Sequence, residues 1–140
     1  YDLDEIIELE QKKSVTDIFE ESGEDHFRKL ETTCLRSFSE KDNYILACGG
    51  GTACFNDNIK WMNETGTTVY LSASPKYIYD RVKGEKNKRP LIKKLNEQEL
   101  FFFIEQRLKE REPFYRQAKI ILPTGELDME TIPEFILNNT

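Results

Sequence analysis

An apolar run, Tyr44-Ile45-Leu46-Ala47-Cys48, passes directly into Gly49-Gly50-Gly51, and few folds accommodate such a junction. A short, nearly continuous apolar run bounded by glycine fits a strand buried on both faces, the kind found in parallel sheets. Three glycines in succession carry a large backbone entropy cost, so they suit a place where the backbone approaches a ligand closely; a tight turn needs only one or two. The pattern then recurs. Thr67-Thr68-Val69-Tyr70-Leu71-Ser72-Ala73 reads as a second strand and leads into Ser74-Pro75, with proline at its favoured first helical position. Lys119-Ile120-Ile121-Leu122 reads as a third strand, and residues 97–117, carrying Phe101-Phe102-Phe103-Ile104 and Leu108, suit a long helix packed on a sheet. Alternating strands and helices predict an α/β domain with right-handed crossovers and a binding site at the carboxyl ends of its strands.

The N-terminal part follows the same logic. Tyr1-Asp2-Leu3-Asp4 reads as the tail of a strand leading into a periodic segment, Glu5-Ile6-Ile7-Glu8-Leu9. Ser14 with Asp17 resembles a capping box opening a short helix. After Gly23 a second helix is expected over residues 24–38, where Phe27, Leu30, Cys34 and Phe38 form a buried stripe. A chain of 140 residues suffices for one domain, spanning 1–140, and not for two. No run approaches the roughly 18 apolar residues of a spanning helix, and no apolar leader opens the chain, so a soluble, cytoplasmic protein is expected. With 20 basic and 26 acidic residues the net charge is −6, which argues against nucleic acid as a partner. Cys34, Cys48 and Cys54 form no CxxC, and one histidine, His26, supplies no zinc ligand set and no triad. The thiols read as reduced.

Three features converge on the expected site. Asp2 and Asp4, one residue apart on a strand, would point the same way and could face a ligand or a cation; Mg²⁺ takes one or two such carboxylates beside waters and phosphate oxygens. Acids at a helix entrance also have a plain structural reading, as partners of the positive end of the helix dipole. The triple glycine is the second feature. The third is Lys83-Gly84-Glu85-Lys86-Asn87-Lys88-Arg89-Pro90-Leu91-Ile92-Lys93-Lys94, which holds six basic residues and one acidic residue. Its Gly, Asn and Pro make it a loop, suited to closing over phosphates or to an anionic partner. Arg28 and Arg111 are each either a helix-surface arginine or a bidentate receptor for a substrate carboxylate.

In order and spacing these residues resemble one family, shikimate kinase. The matching elements are Asp2-Leu3-Asp4, Ser14-Val15-Thr16-Asp17-Ile18-Phe19, Gly23-Glu24, Phe27-Arg28, Glu31 and Gly49-Gly50-Gly51. They continue with Val69-Tyr70-Leu71, Lys88-Arg89-Pro90-Leu91 and Arg111-Glu112-Pro113-Phe114-Tyr115-Arg116. The resemblance implies a three-layer α/β/α P-loop kinase fold of the nucleoside-monophosphate-kinase type, with a substrate-binding region over residues 3–38 and a basic lid over 83–96. It implies transfer of the γ-phosphoryl group of ATP, with Mg²⁺, to the 3-hydroxyl of shikimate, a step toward chorismate and the aromatic amino acids. Asp4 would bind the shikimate hydroxyls and serve as base or orienter, and Asp2 would sit near Mg²⁺. Arg28 and Arg111 would clamp the carboxylate, and the backbone of Gly49, Gly50 and Gly51 would contact the ring. Phe19, Phe27 and Glu31 would shape and brace the pocket; Arg89 would reach the ATP phosphates, and Arg81 would lie near the adenine. Small molecules are the implied partners, and the implied state is a monomer.

One element of the family pattern is not matched: the sequence contains no G-x-x-x-x-G-K-S/T. The expected fold is therefore that of the family without its first strand, P-loop and first helix. The intact shikimate-binding residues and Arg89 favour a strand–loop–helix unit preceding Tyr1 over a remnant that has lost ATP binding. Other readings are a gluconate-kinase-like enzyme and a domain that uses its basic loop on acidic partners.

Overall fold

The computed structural model describes residues 1–84, 92, 94–125, 130, 132 and 136. The chain divides into two compact units, residues 1–65 and 66–140.

The first unit is built on two helices. Helix α1 spans Leu3–Gln11 and is capped by Asp2, whose Oδ1 accepts from the backbone N–H groups of Asp4 at 2.9 Å and Glu5 at 3.2 Å. It ends at Lys12, in the left-handed region with φ 55°. Helix α2 spans Val15–Arg36, begins at the Ser14 cap and is interrupted at Gly23, where φ is 82° and ψ is 170°. This corner of backbone space is open essentially to glycine alone, so Gly23 separates two helical segments, as the sequence predicts. Beyond Gly23, Glu24, Phe27, Arg28 and Glu31 recur at three- and four-residue steps and therefore share one face. Leu3 and Ile7 of α1 pack with Ile18, Phe27, Cys34 and Leu35 of α2 to form the core. The expected helix end at Phe38 is instead a 3₁₀ turn, Ser37–Glu40, in which Phe38 is buried against Tyr1 and Tyr44.

Two expectations are corrected here. Tyr44 to Cys48 is not a regular strand: among the described residues its pairing is a single parallel bridge, Asp2 with Ala47, closed by Leu3 N–H to Ala47 O at 3.0 Å and Ala47 N–H to Tyr1 O at 2.8 Å. Ile45 is 87% exposed, so the run is not buried on both faces. Nor do Asp2 and Asp4 share a strand face, because the helix begins between them and claims the Asp2 carboxylate as its cap. After a 3₁₀ turn at Thr52–Cys54 comes helix α3, Asn58–Thr65, which the sequence reading did not anticipate. Asn56 and Asp57, both left-handed at φ 53° and 54°, turn the chain into it.

In the second unit, strand β1, Val69–Ser72, pairs in parallel with β2, Ile120–Pro123, in the register Val69 to Ile120 through Ser72 to Pro123. Between them lie α4, Pro75–Val82, with Ser74 as cap and Pro75 in its first turn, and α5, Glu97–Tyr115. Asn96 and Glu99 form a full capping box at the start of α5. Ile92, Leu100 and Ile104 are buried against Ile78, Val82, Leu95 and Phe103. The strand–helix–helix–strand order and parallel pairing match the expected α/β class.

Because Gly23 adopts a conformation that a Cβ disfavours although nothing lies within 4 Å of one, Gly23→Ala carries a backbone penalty only. It is expected to lower stability by about 1–3 kcal/mol, read as a lower denaturant midpoint at unchanged slope.

Candidate functional site

The site residues of the first unit gather around one guanidinium. Arg28 is a buried residue, 8% exposed. Its Nη1 donates to Glu31 Oε2 at 2.9 Å, while Nε and Nη2 donate to Glu24 Oε1 at 3.3 and 3.2 Å. Three rings surround it: Phe55, Phe27 and Phe19, with centroids 4.5, 5.3 and 5.9 Å from the guanidinium carbon. Such faces attract a cation most strongly where water is excluded. Phe19 and Phe27 also pack on each other, ring centroids 4.7 Å apart.

Glu31, 1% exposed, pairs with Arg28 in the interior, where every lone pair needs a partner. Thr52 supplies the second partner: its hydroxyl donates to Glu31 Oε1 at 2.7 Å, and the residue is itself fully buried. The loop carrying Thr52 is tied to α2 by side chains. Asn58 Nδ2 donates to Thr52 O at 3.0 Å and to Thr32 Oγ1 at 3.1 Å, and Asn56 Nδ2 donates to the same hydroxyl at 2.9 Å. Arg36 stacks over Trp61 at 4.7 Å and donates to Asn58 Oδ1 at 3.4 Å.

This anchoring brings the glycines against the charges. A Cβ on Gly51 would lie 2.3 Å from Arg28 Nη2 and 2.5 Å from both Cζ and Nη1, so only glycine fits beside the guanidinium. A Cβ on Gly49 would meet both Asp4 oxygens at 3.6 Å and Glu31 Oε1 at 3.7 Å, an ordinary contact. Gly50 O accepts from the Cys54 thiol at 3.9 Å. Three successive glycines suit close approach of the backbone to a ligand. For Gly51 the structure supplies a further reason, close approach to an arginine of the same unit.

Asp4, in the first turn of α1, is half-buried in this acid-rich corner. Desolvation first, then the charges of Glu31, Asp2 and Glu8, hold its carboxyl above the usual range, and Arg28 opposes them. A carboxylate so placed is a better proton acceptor than one in water. Cys48 is an exposed residue, yet its thiol is pushed up to about 11, by desolvation first and then by Glu31, Asp4 and Asp2. It stays protonated near neutral pH and is no nucleophile. Among the described residues no group of three or more His, Cys, Asp or Glu could hold a metal ion. Asp2, with Oδ1 committed to the α1 cap, has one oxygen left for a cation.

The structure thus brings together Asp4, Phe19, Phe27, Arg28, Glu31, Gly49 and Gly51, with Asp2 at the head of α1. Arg81 and Arg111 belong to the second unit: Arg81 is exposed on α4 with its guanidinium carbon 6.0 Å from the Tyr77 ring centroid, and Arg111 is half-buried on α5. Arg89 lies outside the described residues. Sequence reasoning missed Thr52 and Phe55 as partners of this cluster, and it named Glu24 without giving it a role. The spacing of Glu24, Arg28 and Glu31 was a usable signal for the ion pairs.

The shikimate kinase family profile matches residues 1–139. A shikimate kinase from Bacteroides fragilis is 41% identical over 127 residues, covering 91% of this chain and 71% of that protein. One from Thermoanaerobacter pseudethanolicus is 34% identical over 136 residues, covering 97% and 77%. Among solved structures, shikimate kinase from Bacteroides thetaiotaomicron superposes with a TM-score of 0.88 at 39% identity, over 99% of this chain and 79% of that one. Shikimate kinase from Acinetobacter baumannii, in complex with shikimate, gives 0.82 at 28% identity over 99% and 78%.

Asp4 binds its proton more tightly folded than unfolded, so its contribution to stability is fully present below the unfolded value of about 3.9 and is lost as pH rises through the raised folded value. Asp4→Asn is therefore expected to raise Tm above that folded value, with the gain shrinking as pH falls through it and gone below about 3.9. Thr52→Val, which leaves Glu31 Oε1 without its hydroxyl partner, is expected to cost about 1–3 kcal/mol in chemical denaturation, and Thr52→Ser to recover most of it.

Proposed function

The chain belongs to the shikimate kinase family, and from that premise we propose that its first unit seats shikimate for phosphorylation of the 3-hydroxyl by ATP. The observation that carries this reading is the buried Arg28 guanidinium, fixed by Glu31 and Thr52 beside the half-buried Asp4. A guanidinium held in one orientation is a receptor for a planar carboxylate, which shikimate carries. A carboxylate with a raised pKa is suited to accept the proton of a hydroxyl, which shikimate also carries.

Each residue then has a task. Arg28 takes the substrate carboxylate, with Arg111 as the proposed second arm of the clamp. The backbone of Gly49, Gly50 and Gly51 borders the ring hydroxyls, and Phe19 and Phe27 keep water from the guanidinium. Glu31 braces Arg28 and touches no substrate. Asp4 orients the attacking hydroxyl and receives its proton as the new O–P bond forms. ATP supplies the phosphoryl group and leaves as ADP; Arg89 is proposed to neutralise its phosphates, Arg81 to lie against its base and Asp2 to hold Mg²⁺, through water, with its remaining oxygen. Phosphoryl transfer depends chiefly on such positioning and charge neutralisation. The reading also implies a role in aromatic amino-acid synthesis and a monomer acting on small molecules.

The test is titration calorimetry of this chain with shikimate, which measures the carboxylate site directly. Arg28→Lys keeps the charge that Glu31 needs and removes the fork; it is expected to weaken shikimate binding about 10- to 100-fold, from roughly 1.5–3 kcal/mol for a charge-assisted hydrogen bond. Unchanged affinity in a folded Arg28→Lys protein would rule out this seat for the carboxylate.

A further inference from the structure

The two carboxylates on Arg28 are not equivalent. The Glu31 side chain is 1% exposed and held from its other oxygen by Thr52. The Glu24 side chain is 53% exposed and reaches the guanidinium through Oε1 alone, with the longer contacts of 3.2 and 3.3 Å. That single oxygen is shared by Nε and Nη2, an edge whose two parallel N–H groups can each engage a separate oxygen of a carboxylate. Glu24 therefore serves both N–H groups of a bidentate receptor with one oxygen, where a well-seated carboxylate would use two.

Charge count points the same way. Asp4 and Glu31 already crowd this corner, both Asp4 oxygens and Glu31 Oε1 lying within 3.7 Å of the position a Cβ on Gly49 would take, so an incoming carboxylate that left Glu24 in place would add a further negative charge beside them. A departing Glu24 removes one as the ligand brings one. The route out is short, since Glu24 is half in solvent and opens the helical segment that follows the Gly23 break. There its charge is favoured by the N-terminal end of the helix dipole. Glu31 has no comparable exit.

We propose that Glu24 is a displaceable stand-in for the substrate carboxylate: it neutralises the Nε–Nη2 edge of Arg28 and is displaced by a ligand carboxylate able to fill both N–H positions. The inference rests on the reading that Arg28 receives that carboxylate. Its consequence is that only a carboxylate ligand gives up part of its affinity to displace Glu24, because a ligand without a carboxylate gains nothing from Arg28 and leaves the Glu24 contact intact.

The test is calorimetric titration of the wild-type chain, Glu24→Gln, Glu24→Ala and Arg28→Lys with shikimate and with its methyl ester. Loss of a half-exposed ion pair corresponds to a tightening of about two- to five-fold. Both Glu24 variants are expected to bind shikimate tighter by this factor and the methyl ester no tighter than wild type. Affinity for shikimate that is unchanged or weaker in both variants, or a gain shared equally by the ester, overturns the role of Glu24. Wild-type affinity in Arg28→Lys overturns the underlying seat instead, so the two failures are told apart by which variant is silent.

Discussion

The ion pair between Arg28 and Glu31 is the interaction on which the first unit's site depends. Two charges taken this far out of water gain from their attraction only if the remaining donors and lone pairs are satisfied, and removing one partner of such a pair costs about 3–5 kcal/mol. The surrounding residues meet that condition. Thr52 fills the second oxygen of Glu31, three aromatic rings cover the guanidinium, and Glu24 takes its remaining edge. The glycine loop is positioned by the same need. Gly51 must lack a side chain to pass the guanidinium, and the Asn58, Thr32 and Arg36 contacts hold that loop where Thr52 reaches Glu31.

Asp4 shows the other side of this arrangement. Asp4 lies where desolvation first, and then the charges of Glu31, Asp2 and Glu8, raise its pKa against the opposing charge of Arg28. That shift makes the carboxylate a stronger base than one in water. Residues retained for binding at the expense of the empty state's stability are a recurrent feature of functional sites.

Much of this was legible in the sequence, for identifiable reasons. The helix after Gly23, the Ser74-Pro75 start of α4 and the parallel β1 and β2 each rest on a local signal, a period, a cap or an apolar run, that tertiary structure did not override. The family resemblance, carried by the order of several short motifs, gave the α/β kinase fold that the solved relatives share. Asp2 does end a short parallel pairing with Ala47, and the misplacing of Asp4 on the same strand face has a clear cause. Polar–apolar–polar alternation over so few residues suits a strand and a helix start equally, yet Asp2 followed by Glu5 is itself a capping signature. Ile45 shows that an apolar run does not fix two-sided burial. The Thr52–Glu31 bond was beyond reach because it joins residues 21 apart in sequence through a loop whose course is set by Asn58.

The protein's overall charge of −6 and its reading as an enzyme for an anionic substrate pull in opposite directions. General attraction cannot resolve this, because the field of an acidic surface repels the ligand and is screened within about 10 Å at ordinary ionic strength. Recognition must therefore be local and arranged in advance. A lone exposed arginine would be too mobile and too well hydrated to distinguish one carboxylate from another. A buried one would be unstable without counter-ions. Neutralising it twice, once by a carboxylate locked to a threonine and once by a carboxylate at the solvent boundary, satisfies both demands. The first fixes the direction of the fork, and the second holds the charge in a form that a better-fitting carboxylate can take over.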